Sequence, residues 1–104
     1  MPKRSKVAVL RVRPERVDEY VEAHRKVWPE MLAALREAGI RNYTIYRHGN
    51  EMFGYFESDD LEAAGAFMSA QDVNTRWQDA MAGLLEERVP DEGPAPLVEV
   101  FRLD

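Results

Sequence analysis

The pattern of hydrophobic and polar positions along the chain predicts four strands. Each is a short run rich in β-branched and aromatic side chains, which favours extended structure. A turn at His48-Gly49-Asn50 separates the second strand from the third and predicts a hairpin. Gly54, inside the third strand, indicates a bulge or close packing of another group over the sheet. The four predicted strands are residues 6–12, 41–47, 52–56 and 97–103.

Helical spacing of apolar residues fills the two long intervals between strands. The first helical region runs from Pro14 to Gly39 and is interrupted at Pro29, since proline cannot continue a helix and restricts the residue before it. A new helical segment should therefore start at Pro29. The second region runs from residue 58 to 85 and pauses at 69–71, so its pattern fits one kinked helix or two. The first apolar stripe consists of Val17, Tyr20, Val21, His24, Val27 and Trp28.

The order strand, helix, strand, strand, helix, strand predicts an α+β domain with the ferredoxin-like βαββαβ fold. In that fold an antiparallel four-stranded sheet carries its helices on one face. The first and last strands are apolar on both sides, so the other face should also be covered. We therefore expect a homodimer in which two sheet faces pack together, a dimeric α/β barrel.

Composition limits the class of protein. The 104 residues, 45% hydrophobic and 32% charged, predict a single globular domain over residues 1–104. A net charge of −5 without a basic stripe argues against nucleic acid as a partner, and no apolar run is long enough to span a membrane. The chain has no cysteine, which excludes disulfides and thiolate sites. The first residues are too polar for a signal peptide, so we expect a cytoplasmic protein.

His24 is the strongest candidate for chemistry. It shares one helix face with Tyr20 and Trp28, and its ordinary pKa near neutrality suits proton transfer. His48 lies in the predicted turn, and we expect it to be a surface residue. The same aromatic stripe also fits plain core packing, and spacing alone leaves both interpretations open.

Other kinds of site find little support. The sequence has no metal-binding histidine pair, no nucleophile elbow and no phosphate-binding glycine loop, which leaves an acid/base site lined by aromatic rings. Such rings suit sugars, and the candidate rings are Trp28, Tyr43, Tyr46 and Trp77. Glu99 alternates with apolar neighbours in the last predicted strand. It is either a second acid/base group or a carboxylate at a sheet edge.

Several motifs together resemble the L-rhamnose mutarotase family over nearly the whole chain. The resemblance implies a dimeric ferredoxin-like domain that interconverts the α and β anomers of L-rhamnose without a metal or redox cofactor. It also implies that His24 is the proton donor and that Tyr20 and Tyr43 bind the sugar. The motifs are Tyr20-x-x-x-His24 with Trp28-Pro29-Glu30, Asn42-Tyr43-x-Ile45-Tyr46, Arg76-Trp77 and Glu99-Val100-Phe101.

One position departs from the family pattern. Members often carry two consecutive tryptophans on the late helix, and here Trp77 is followed by Gln78. An amide in place of an indole removes stacking area and adds a hydrogen-bonding group, so a related deoxy-hexose is also a possible substrate. The alternatives to a mutarotase are a cofactor-free monooxygenase or haem-handling protein of the same fold, and a non-catalytic sugar-binding module.

Overall fold

The computed structural model describes residues 4–103, and these form a small α+β fold. The sheet has the order β1-β3-β2 and is antiparallel throughout, with β3 in the middle. A short 3₁₀ turn at Pro14–Arg16 precedes the first helix. In the described range the strands are β1 (Arg4–Arg11), β2 (Arg41–His48) and β3 (Glu51–Ser58), and the helices are α1 (Val17–Arg25), α2 (Pro29–Glu37), α3 (Leu61–Ser69) and α4 (Asp72–Ala82).

The predicted hairpin is confirmed as β2 and β3. Gly49 lies in its turn with φ of 63°, a conformation that glycine adopts without strain. The pairing shifts register between Arg41 and Thr44, where Asn42 also has a positive φ of 52°. The irregularity is therefore in β2 rather than at Gly54, where the Tyr43 ring lies close over the sheet: a Cβ on Gly54 would be 3.7 Å from Tyr43 Cε1.

The break at Pro29 is also confirmed. Helix α1 ends at Arg25 and α2 begins at Pro29, while Trp28 adopts the extended angles (φ −56°, ψ 133°) that a following proline favours. The second helical region is two helices, because the chain leaves helical geometry at Gln71. Asp60 caps α3 by accepting a hydrogen bond from the Ala63 amide at 3.0 Å.

The core lies between the four helices and one face of the sheet. Val12 and Leu85 are its most deeply buried large side chains, and they belong to a short β-bridge that joins the end of β1 to the segment after α4. No helix in the described part of the chain has the length and apolar character that crossing a membrane requires. The buried cluster comprises Val12, Val17, Tyr20, Met31, Ala34, Met52, Met68, Val73, Trp77, Met81, Leu84, Leu85 and Val89.

The predicted fourth strand at 97–103 is wrong for this structure, whose sheet has three strands among the described residues. The Leu97 amide donates to the Val7 carbonyl at 2.6 Å, so the segment starts beside the free edge of β1. Beyond that point it has no strand pairing, and Val100 is 95% exposed. An extended run of β-formers becomes a strand only when its backbone groups find a partner, which composition does not reveal.

Candidate active site

A cavity of about 450 Å³ lies between the helix-facing side of the sheet and the helices. This volume falls in the range of about 300–1,000 Å³ that is usual for small-molecule sites. Most of its wall is apolar, and the polar groups are few. The side chains with polar atoms that line it are Lys6, Tyr20, His24, Tyr43, Asn74, Trp77, Gln78, Asp91 and Glu92.

His24 enters the cavity from the last turn of α1. Its Nδ1 lies 2.8 Å from the Tyr20 carbonyl oxygen, one helical turn earlier. A carbonyl oxygen can only accept, so Nδ1 carries the hydrogen and Nε2 keeps a free lone pair in the neutral ring. Burial lowers the pKa of His24, and the hydrogen bond to Tyr20 opposes that shift without cancelling it. The ring is therefore neutral at neutral pH, with Nε2 as a proton acceptor.

Two tyrosines supply hydroxyl groups. Tyr20 is 4% exposed, and its ring lies 4.2 Å from that of His24, measured between centroids. Burial raises the pKa of the Tyr20 hydroxyl strongly, with a smaller contribution from Tyr43. Tyr43 has 45% of its surface exposed, yet the protein around its hydroxyl raises its pKa as well. Both phenols therefore stay protonated and can donate hydrogen bonds.

Trp77 forms the floor beside His24. It is 7% exposed, and its ring meets the His24 ring edge-on with centroids 5.5 Å apart. It also meets the Trp28 ring edge-on, with centroids 5.1 Å apart. Trp28 does not line the cavity; it packs behind Trp77 against the core. The sequence left Trp28 undecided between pocket wall and core, and the structure packs it, partly buried, against the core.

Comparison with known proteins decides the family. The model of the L-rhamnose mutarotase family matches residues 6–103. An L-rhamnose mutarotase of Oceanobacillus iheyensis is 34% identical over 100 residues, covering 92% of this chain and 94% of the relative. That of Ligilactobacillus salivarius is 37% identical over 103 residues, with the same shares of the two chains. A crystal structure of an L-rhamnose mutarotase from Formosa agariphila superimposes with a TM-score of 0.75 at 25% identity, covering 97% of this chain and 99% of that one.

The chain belongs to the L-rhamnose mutarotase family. The resemblance inferred from the motifs is thereby confirmed. Of the residues expected to form the site, the cavity brings together Tyr20, His24, Tyr43, Trp77 and Gln78.

Two expected residues lie elsewhere in this mutarotase fold. Tyr46 is 64% exposed and sits on the outer face of the sheet, opposite Tyr43, because alternate residues of a strand point to opposite faces. Glu99 lies outside the cavity lining, in the segment without strand pairing, where its carboxylate accepts hydrogen bonds from Arg102. Tyr46 is therefore not a wall of this cavity, and of the two interpretations of Glu99 the acid/base group does not fit its position.

Gln78 occupies the family's second tryptophan position and is held by a buried amide. Its Nε2 donates to Asn74 Oδ1 at 3.1 Å. Asn74 is 2% exposed, and its Nδ2 donates to the carbonyl oxygens of Met68 at 3.1 Å and Asp91 at 2.8 Å. Asn74 thus ties helix α4 to the segment that follows it, and sequence reasoning missed it because an asparagine in a helix gives no signal of burial.

Lys6 is the second residue that sequence reasoning missed. Its ammonium lies over the Phe56 ring, 5.9 Å from the centroid, and lines the cavity from β1. Desolvation lowers the pKa of Lys6, and the charge of Glu92 partly opposes that shift. The alternation of β1 could have revealed it, since Lys6 shares a face with buried Ala8 and the cavity-lining Leu10.

The tautomer and pKa of His24 can be measured directly. We expect NMR titration to show the His24 ring protonating with a midpoint below the ordinary value of 6.5, and to show Nδ1 as the protonated nitrogen above that midpoint. The chain has two histidines, so His48→Gln leaves a single imidazole signal and assigns it. A midpoint at or above 6.5, or a hydrogen on Nε2, would contradict this geometry.

Proposed function

We propose that this chain interconverts the α and β anomers of L-rhamnose by acid/base catalysis with its own side chains. The observation that carries the proposal is that His24, whose bonded Nδ1 leaves a lone pair on Nε2, lines a cavity together with hydroxyl donors in a member of the L-rhamnose mutarotase family. A related deoxy-hexose is the second candidate substrate, because Gln78 departs from the family pattern. The cytoplasmic location expected from the sequence stays a prediction.

His24 is the proposed base for ring opening. Its Nε2 removes the proton from the anomeric hydroxyl while the bond between the anomeric carbon and the ring oxygen breaks. The resemblance implied a protonated His24 that donates first. Since burial lowers the pKa of His24, the neutral ring is the resting form and the order is reversed. His24 then becomes the donor in the closing step.

Lys6 is the proposed acid that protonates the ring oxygen. The sequence left Glu99 as either a second acid/base group or a carboxylate at a sheet edge, and that carboxylate is outside the cavity lining. The Lys6 ammonium lines the cavity, and its lowered pKa makes it a better proton donor than an exposed lysine. Tyr20 and Tyr43 keep their protons and orient the sugar by donating hydrogen bonds.

Closure reverses the same proton transfers. After rotation of the aldehyde group, the hydroxyl formed from the ring oxygen attacks the other face of the carbonyl and returns its proton to the neutral Lys6 amine. The carbonyl oxygen takes the proton held on His24 Nε2. Both residues regain their starting states, so no net proton is consumed.

Removal of the base should abolish most of the activity. We expect His24→Ala to slow anomer exchange of L-rhamnose by roughly 10²–10⁴-fold, the usual contribution of a positioned acid or base. Saturation-transfer NMR measures the exchange rate, and circular dichroism checks that the variant is folded. His48→Ala, at the exposed end of β2 next to the hairpin turn, is the matched control and should exchange at the wild-type rate. Unchanged exchange in folded His24→Ala, or wild-type protein that binds L-rhamnose without exchange, would refute the proposal.

Two substitutions of Lys6 distinguish a role of its charge from a role in proton transfer. We expect both Lys6→Met and Lys6→Arg to slow exchange by about 100-fold, because a guanidinium keeps the positive charge but does not release a proton near neutral pH. Lys26→Met, an exposed lysine after α1, serves as the control for loss of an ammonium. If Lys6→Arg retained the wild-type rate, Lys6 would supply charge only.

The outer face of the sheet supports the proposed homodimer. Val9, Phe53 and Tyr46 stand side by side across β1, β3 and β2 and form an apolar row. The segment after Pro96 adds further apolar groups, of which Val98 and Phe101 are 86% and 79% exposed. A second copy that packs on this face would remove both surfaces from water. We therefore propose that two copies meet through their sheets.

A charge in the apolar row should break the dimer. We expect wild-type protein to sediment as a dimer at micromolar concentration and Phe53→Lys to sediment as a monomer with unchanged helical content. A lysine on the exposed side of α3, Ala63→Lys, is the control and should stay dimeric. A monomeric wild-type protein would remove the proposal.

A further inference from the structure

The orientation of the Gln78 amide follows from a chain of hydrogen bonds that starts at the backbone. The carbonyl oxygens of Met68 and Asp91 can only accept, and both contact the same atom position of the Asn74 amide. That position must be the nitrogen, whose two hydrogens are then both used. The other end of the amide, Oδ1, is an acceptor and faces Gln78.

The second amide is oriented by the first. Because Asn74 offers only an acceptor to it, Gln78 must turn its Nε2 toward Asn74, at 3.1 Å. The opposite atom, Gln78 Oε1, then remains available. Within residues 4–103 no protein hydrogen bond ends on Oε1, and Gln78 is half-buried and lines the cavity. Gln78 therefore keeps a carbonyl oxygen free to accept a hydrogen bond, with the second hydrogen of Nε2 beside it.

We propose that Gln78 determines substrate specificity by accepting a hydrogen bond from one sugar hydroxyl, and that Asn74 is the residue that positions it. The inference rests on the proposed mutarotase function and extends it: the substrate must carry a hydroxyl donor at a position where a tryptophan would offer a flat ring and an N–H donor but no acceptor. A site built around a buried polar group discriminates against analogues that lack its partner, because the group is then left unpaired.

The anchoring of Asn74 supports a positioning role. The segment that supplies the Asp91 carbonyl is itself held in place, since Thr75 Oγ1 donates to Asp91 Oδ2 at 2.8 Å and Arg88 donates to Asp91 Oδ1 at 3.0 Å. On the same segment, the Glu92 carbonyl packs closely on Gly65 of α3, where a Cβ would lie only 3.0 Å away. The acceptors that orient the amide chain are therefore fixed by two helices.

The test compares wild-type protein with Gln78→Leu over a series of sugars by the NMR exchange assay. The series is L-rhamnose, its analogues with one hydroxyl replaced by hydrogen or by fluorine, and L-mannose, which adds a hydroxyl to the methyl group of L-rhamnose. We expect a change at one position to alter kcat/KM about five- to tenfold in the wild type and less than twofold in Gln78→Leu. Fluorine accepts but does not donate, so the fluoro analogue at that position should lose as much as the deoxy analogue.

The positioning role of Asn74 is tested by combining its substitution with that of Gln78. Asn74→Leu should lose the same hydroxyl selectivity, and the double variant Asn74→Leu/Gln78→Leu should lose no more than Gln78→Leu alone. A purely structural Asn74 would change stability but leave the selectivity ratio intact. Gln71→Leu, a half-buried amide outside the cavity that donates to the Phe67 carbonyl, is the matched control and should keep wild-type selectivity.

The outcomes separate this inference from the proposed function. If wild-type protein does not accelerate exchange of any sugar in the series, the mutarotase function itself fails. If wild-type protein is active and Gln78→Leu keeps every wild-type ratio within twofold, the role of Gln78 is wrong. If the fluoro analogue instead retains the activity that the deoxy analogue loses, the sugar accepts from the second N–H of Gln78 and the accepting role is wrong. The Gln78 variants decide the question even if Asn74→Leu does not fold.

Discussion

The hydrogen bond from His24 Nδ1 to the Tyr20 carbonyl is the contact on which the chemistry of the site depends. It joins two residues one turn apart in α1, so the helix backbone determines which imidazole nitrogen holds the hydrogen. A ring free to change tautomer would present a donor or an acceptor to the sugar. Here Nε2 carries the lone pair and can only accept. The edge contact with Trp77 further restricts the orientation of the imidazole ring.

The same principle operates at another part of the cavity wall. Backbone carbonyls orient Asn74, Asn74 orients Gln78, and the result is a second acceptor directed by groups that cannot reverse their polarity. Lys6 and the two tyrosines supply donors. The raised pKa values of Tyr20 and Tyr43 keep the protons on these two phenols. A sugar hydroxyl can donate and accept, so a cavity with both kinds of group at set positions selects the orientation of the ring.

How much could be predicted from sequence depends on the range of the interaction. The break at Pro29, the hairpin around Gly49 and the stripe that carries His24 are local consequences of backbone geometry, and the structure confirms each. The tautomer of His24 depends only on the geometry of α1, but assigning it required the distance between Nδ1 and the Tyr20 carbonyl oxygen. The role of Asn74 depends on Asp91, seventeen residues away, and no local pattern encodes that contact. Trp28 was ambiguous for the same reason, because only tertiary packing sets Trp77 in front of it.

The C-terminal segment shows most clearly where prediction from sequence fails. Its composition favours a strand as strongly as that of β1 does, yet after Leu97 its backbone finds no strand partner in the described chain and its apolar side chains face water. Strand propensity measures how well a residue fits a pleated, half-buried surface and does not supply that surface. Exposed β-formers next to a free sheet edge and an apolar sheet face are costly in isolation. Both the segment and the sheet face expose apolar groups to water, and the proposed packing of a second copy of the chain would bury both.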